Sequence, residues 1–202
     1  MVTDRNLAGS RSEEEVVNLA LRGGVRVFQY REKERSTRYQ VELGARLCQL
    51  VHQYQGIFMV NDRVDIARSI QADGVHLGQE DLPITMARSI LGPDKIIGVS
   101  VSNVQQAIQA EAEGADYVGA SALFSTATKA EALAMGLPGL KQIRQAIGIP
   151  ILAIGGIGVE NASAVTQAGA DGLAVVSAIV SAEDITQAAA NLLRIIRDAK
   201  VS

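Results

Sequence analysis

Cysteine is nearly absent from this 202-residue chain: the single one, Cys48, can close no internal disulfide and suits a reducing cytoplasm. Histidine is almost as scarce. With only His52 and His76 there is no His cluster to bind a metal, and no Ser-His-Asp or Cys-His catalytic arrangement is visible. No apolar run approaches the roughly 20 residues of a membrane span, and the opening "MVTDRNLAG" has no basic-then-apolar leader pattern. An excess of positive charge is missing too. A net charge of −3 supplies no general basic surface, which argues against nucleic acid or an anionic membrane as the main partner, so any anionic ligand must be met locally. Proline, glycine and serine form no linker-like stretch, and the composition, 48% apolar and 20% charged, does not change along the chain. Residues 1–202 therefore read as one compact domain with a real core.

What is present is a repeated alternation. Short runs rich in Val, Ile and Gly, at 2–4, 25–30, 57–61, 74–77, 96–100, 117–120, 151–154 and 172–176, read as strands. Between them lie segments with helical spacing, such as "SEEEVVNLALRGG", "TRYQVELGARLCQLVHQY" and "NVQQAIQAEAEGA". In the closing "AEDITQAAANLLRIIRDAK", Ile185, Ala188, Ala189, Leu192, Leu193 and Ile196 share one face, as an outer helix requires. Three helices stop alike, at "LRGGVRVFQ", "QADGVHLG" and "AGADGLAVV", where glycine or Asp-Gly leads into an apolar strand. Eight such units in a chain of this length predict an α/β fold, a (β/α)8 TIM barrel, rather than an open doubly wound sheet. The first strand is short for a barrel stave.

In such a barrel, ligands approach the carboxyl ends of the strands, so the residues just past each apolar run carry the chemistry. The stretch "NDRVDIARSIQADGVHLGQEDLP", 61–83, sets Asp62 and Asp81 just past two neighbouring strands. Either alone reads equally as a loop or helix-capping acid. As an adjacent pair on one rim they would repel unless a cation lay between them, and an all-oxygen donor set suits Mg²⁺, which completes its octahedron with water and substrate phosphate. Arg31 and Lys33 alternate after the second run, so both point to one side while Tyr30 and Glu32 point to the other. With Gln29, Asn61 and Lys129 nearby they form a cluster suited to a di- or triphosphate. "AIGGIG", 153–158, and "VVSAI", 175–179, place glycines and a serine in the two loops where many barrels hold a phosphomonoester. His52 sits in a long helix, and His76 lies within "GVHLG", where it is expected to pack or hydrogen-bond inside the barrel.

The segments "VTDR", "QYREK", "VNDRVDIA", "ADGVHLGQEDLP", "GVS", "ADYVGA", "STATK", "IPILAIGGI" and "GADGLAVVSAI" follow in order, over essentially the whole chain, the pattern of the thiamine-phosphate synthase family, which this sequence resembles. The resemblance implies a cytoplasmic, Mg²⁺-dependent transferase. Such an enzyme joins hydroxymethylpyrimidine diphosphate to thiazole phosphate and releases pyrophosphate. Its partners are small molecules, and a homo-oligomer is compatible with it. It further implies that Gln29, Tyr30, Arg31, Glu32, Lys33, Asn61, Ser100 and Lys129 surround the diphosphate substrate, with Arg31, Lys33, Lys129 and Ser100 as the catalytic set. Asp62 and Asp81 would hold one Mg²⁺ per subunit, and Thr126, Ala127, Thr128, Gly156, Val176 and Ser177 would hold the thiazole phosphate. The implied chemistry is ionisation of the C–O bond to a pyrimidinylmethyl cation, loss of pyrophosphate and attack by the thiazole nitrogen. Two departures stand out: Ser121 and Ser125 replace a usual glycine and a usual proline in "GASALFSTATK". The related thiazole tautomerase branch typically lacks the two acids and carries a histidine after the fifth strand, where this chain reads "GVSVSN".

Overall fold

A computed structural model gives the architecture, and residues 1–124 and 134–201 are described in it. The described elements run α1 Glu13–Arg22, β1 Val27–Tyr30, α2 Thr37–Gln53, β2 Ile57–Asn61, α3 Val64–Ser69, β3 Gly74–Leu77, α4 Ile84–Leu91 and β4 Ile96–Val101. There follow α5 Val104–Ala112, β5 Tyr117–Ala120, α6 Gly136–Ala146, β6 Ile151–Ile154, α7 Ala162–Gln167, β7 Gly172–Ala174, α8 Ser177–Val180 and α9 Ile185–Val201. The strands form one seven-stranded sheet in sequence order, every pair parallel. This is a single TIM-like α/β domain.

Four of the expected strands, 57–61, 74–77, 117–120 and 151–154, have the expected bounds. The second run begins at Val27 instead of 25, because the Val25 N–H still turns back to the Ala20 carbonyl of α1. The last ends at Ala174, since Val176 (φ −116°, ψ −84°) already turns the chain into α8. The expected first strand is not one here. Only Val2 makes an isolated parallel bridge, to Gln29, because three residues are too few for a ladder. They nevertheless reach both edges of the sheet: Thr3 N–H donates to Gln29 O at 2.9 Å, and Val2 N–H to Val175 O at 3.0 Å. The Met1 amino group donates to Val27 O at 2.8 Å inside this wall, and burial lowers its pKa to about 5. A cavity of about 400 Å³ lies beside it, lined by Val27, Gln29, Tyr117 and Leu173 of the sheet and by Leu193 of α9.

The helices cover the sheet because each has one apolar stripe. In α1, Val16, Val17, Ala20 and Leu21 are buried, the Ser12 side chain accepts the Glu15 N–H, and three glutamates in the first turn suit the helix dipole. Helix α9 buries Ile185, Ala189 and Leu192 and packs against α7, α8 and α1, so it joins the last strand's side to the first.

The lower ends of the strands are held by a repeated device. Asp73, just before β3, exchanges two hydrogen bonds with Phe58 of β2: its carboxylate accepts the Phe58 N–H at 2.7 Å while its own N–H donates to Phe58 O at 3.0 Å. Asp116 does the same to Ile97 of β4 (2.7 and 2.8 Å), and Asp171 to Ile151 of β6 (2.8 and 2.9 Å). Each carboxylate also meets a side chain from the helix that precedes the gripped strand: His52 of α2 at 2.8 Å, Arg88 of α4 at 2.7 Å and Arg144 of α6 at 3.1 Å. The two arginine ion pairs are half-exposed and contribute little by themselves. The N–H groups belong to residues that are fully buried, and losing their acceptor is the larger effect. Replacing any of Asp73, Asp116 or Asp171 by alanine is expected to lower unfolding free energy by about 1–3 kcal/mol in urea titrations. Removing the paired Arg88 or Arg144 side chain should cost less.

Candidate functional site

All strands point their carboxyl ends to one rim, which gathers the residues past β1 to β7. At its most charged part, Lys33 Nζ lies 3.1 Å from Asp62 Oδ2. Asp62 follows β2 with φ +61°, a left-handed backbone that non-glycine residues seldom adopt outside constrained sites. Its N–H donates to His76 O at 2.8 Å, which ties this turn to β3. After β3, Asp81 folds back so that its Oδ2 accepts the Gly78 N–H at 2.6 Å. A side chain at Gly78 would crowd that oxygen, since a Cβ there would lie 2.9 Å from it. The carboxyls of Asp62 and Asp81 come within hydrogen-bonding reach of each other. Burial, followed by the proximity of Asp62, raises the Asp81 pKa above the ordinary carboxylate value, against the opposing pull of the Gly78 N–H and Lys33.

Two oxygen donors held face to face fit a hard divalent cation. Among the described residues, no group of three or more His, Cys, Asp or Glu side chains forms a metal cluster. A pair of carboxylates with the remaining positions left to water and phosphate is the arrangement that suits Mg²⁺.

The other expected residues fall into three groups. Arg31 stands at the rim, its Nη1 3.7 Å from Asp4 Oδ2, and its N–H donates to Thr3 Oγ1 at 3.0 Å. Glu32 faces its own loop and accepts the N–H groups of Glu34 and Arg35 at 2.7 and 3.2 Å. The Tyr30 ring is buried between sheet and helices, stacked on Phe58 at 6.0 Å and packed on Gly44 of α2, so a ligand at the rim meets the Tyr30 backbone and not its ring. Asn61 closes β2 beside Asp62. Gln29 points the opposite way from Tyr30, into a cavity that Tyr117 also lines, and Ser100 Oγ lies 2.9 Å from His76 Nε2.

Gly156 lies past β6, and Val176 and Ser177 past β7, across the sheet from the acids. Gly155 and Gly156 both have positive φ, +107° and +64°, and a Cβ on Gly155 would press on the Ala122 and Leu123 backbone at about 3.1 Å. Asn161 holds this loop open by donating to Gly156 O at 2.9 Å and accepting the Gly158 N–H at 3.0 Å. Thr126, Ala127, Thr128 and Lys129 lie outside the described residues.

Sequence reasoning did not find Asp4, Asn161, Tyr117 or Gln79, whose Nε2 donates to Ser100 O at 2.8 Å. For Asp4 the signal was available: an acid that closes the first run, 2–4, much as Asp62 follows the third.

The model of the family described as thiamine monophosphate synthase matches residues 1–179. A protein of Chloroflexus aurantiacus named thiamine-phosphate synthase is 49% identical over 95% of this chain and 89% of its own length. Its counterpart in Moorella thermoacetica is 46% identical over 99% and 96%. A solved structure described as thiamine phosphate pyrophosphorylase from Pyrococcus furiosus superposes with a TM-score of 0.91 at 44% identity, covering 98% of this chain and 94% of that one.

The pairing of the two acids is directly measurable. Asp62→Asn keeps a side chain that tolerates the left-handed backbone and removes the facing charge. Carboxyl ¹³C NMR titration should then show the Asp81 pKa moving down. An unchanged value would mean that the two carboxyls do not face each other.

Proposed function

The chain belongs to the thiamine monophosphate synthase family, and from that premise we propose that it condenses hydroxymethylpyrimidine diphosphate with thiazole phosphate, giving thiamine phosphate and pyrophosphate. Its membership makes it an enzyme, a transferase of thiamine biosynthesis. The observation that carries the reading is the opposed pair Asp62 and Asp81 with Lys33 against it, at the end of the barrel where ligands enter. We read residues 1–202 as one eight-staved barrel whose wall is completed by the segment at Val2, in a small-molecule enzyme of the cytoplasm with no nucleic-acid or membrane partner. Among the described residues no helix is long and apolar enough to cross a membrane.

In this reading the diphosphate lies along Arg31, Lys33, Asn61, Ser100 and Lys129, with Gln29 beneath and the Tyr30 and Glu32 backbone shaping the loop. The thiazole phosphate lies against Thr126, Ala127, Thr128, Gly156, Val176 and Ser177. Asp62 and Asp81 hold Mg²⁺, which when bound neutralises charge on the diphosphate. Loss of pyrophosphate leaves a pyrimidinylmethyl cation, and the thiazole nitrogen attacks it without needing a general base. The barrier then falls mainly through stabilisation of the departing negative charge. Arg31 and Lys33 are suited to this because each is already oriented, Arg31 by Asp4 and Lys33 by Asp62, so little side-chain freedom remains to be lost.

The test is release of pyrophosphate and formation of thiamine phosphate from the two substrates, with Mg²⁺ and with EDTA. Release is expected only with Mg²⁺. Asp62→Ala and Asp81→Ala should each lower turnover on the order of 10²-fold or more, and Lys33→Met by a similar factor. A folded protein that releases no pyrophosphate would overturn the reaction, and release undiminished by EDTA would overturn the metal assignment.

A further inference from the structure

Below the charged rim, a row of polar side chains crosses the inside of the sheet where apolar filling would be ordinary. Gln29 lines the same cavity as Tyr117, near that ring's hydroxyl. That hydroxyl lies 2.8 Å from His76 Nδ1, and His76 Nε2 lies 2.9 Å from Ser100 Oγ. The row draws on β1, β5, β3 and β4, and its last member sits one residue from the end of its strand. We propose that Tyr117 and His76 are positioning residues: they form a one-directional chain, Tyr117 to His76 to Ser100, that fixes the Ser100 hydroxyl as a hydrogen-bond donor toward an acceptor atom of the substrate. The substrate half of this inference rests on the functional reading above, in which Ser100 borders the pyrimidine diphosphate.

The sheet is built around this row. In the register, Gly98 of β4 pairs with His76 on one side and Tyr117 on the other, so the smallest residue separates two large polar ones. A Cβ on Gly98 would fall 2.0 Å from Tyr117 Cζ, and one on Gly119, which pairs with Ser100, would fall 2.9 Å from His76 Cε1. Two glycines thus clear the space that lets both rings reach across. Polar groups in such a place are unfavourable unless each is satisfied, and a satisfied row is rigid.

The direction follows from the chemistry of the members. A phenol is a better donor and a poorer acceptor than an aliphatic hydroxyl, and burial holds the Tyr117 pKa well above its usual value, so this hydroxyl keeps its proton to give. Donation to Nδ1 makes the imidazole an acceptor there, which leaves its proton on Nε2, facing Ser100. Ser100 Oγ accepts that proton's hydrogen bond, so its own hydrogen is the one left to point elsewhere. Gln79 holds the Ser100 carbonyl at 2.8 Å, which fixes the backbone from which the hydroxyl projects. The result is a serine that favours a ligand acceptor, a ring nitrogen or a phosphate oxygen, over a ligand N–H.

Two measurements test this. Long-range ¹H–¹⁵N correlation spectra of the ¹⁵N-histidine-labelled protein report which imidazole nitrogen of His76 carries the proton. The expectation is Nε2 alone, with the preference lost in Tyr117→Phe. In steady-state kinetics, Tyr117→Phe should lower kcat about tenfold, the scale of one lost hydrogen bond, while leaving KM for the thiazole phosphate unchanged. In a Ser100→Ala background the same change should cost nothing further. His76→Gln, which retains an N–H donor toward Ser100, should keep more activity than His76→Leu. A proton on Nδ1, or on both nitrogens, would overturn the chain's direction. Equal losses from Tyr117→Phe with and without Ser100 would overturn the positioning role. If the wild type shows the expected tautomer but no synthase turnover, the chain stands and the functional reading fails.

Discussion

Three aspartates at the foot of every second strand hold the sheet in register, and much of the remaining structure depends on that hold. A parallel sheet has no hairpins, so nothing local fixes where one strand starts against the next. Asp73, Asp116 and Asp171 supply that fixed point by gripping both the N–H and the C=O of one residue in the preceding strand. The β4–β5 register that Asp116 sets pairs Gly98 with Tyr117, and Gly98 meets His76 on its other side. A slip of one residue would bury the wrong face of each strand and break the polar row at once.

The upper rim follows the opposite logic. There the sequence places two carboxyls that repel, a non-glycine residue in the left-handed region, and a lysine against one of the acids. Each of these disfavours the folded chain or leaves it neutral, and each makes sense where charge is to be bound. The division of labour runs along the strands: stability at their beginnings, chemistry at their ends.

The βα repeat was legible because short Val, Ile and Gly runs alternate with helical periodicity, and four strands came out with the right bounds. Their ends are exactly where pattern reasoning weakens, at Val25 and at Val176, since there local turns decide and not hydrophobicity. Asp62 and Asp81 could be read because each lies next to its strand. Tyr30 shows the limit of a residue's address: alternation placed it opposite Arg31, and the structure puts its ring under α2. Asp73 and Asp171 looked like ordinary helix stops in their Asp-Gly steps, and Asp116, followed by Tyr117, carried no such signal. The partnership of His76 and Tyr117 spans 41 residues. It depends on strand register and on two glycines, neither of which is written in either residue's neighbourhood.

The short segment at Val2 has a consequence of another kind. It spans from β1 to the residue after β7 by a few backbone hydrogen bonds, Thr3 N–H to Gln29 O and Val2 N–H to Val175 O among them, with no ladder of its own. Its two amide protons can exchange with solvent only while that seam is open. The speed at which they are replaced by deuterium, relative to those of the central strands, is therefore a clock for the parting of the two sheet edges.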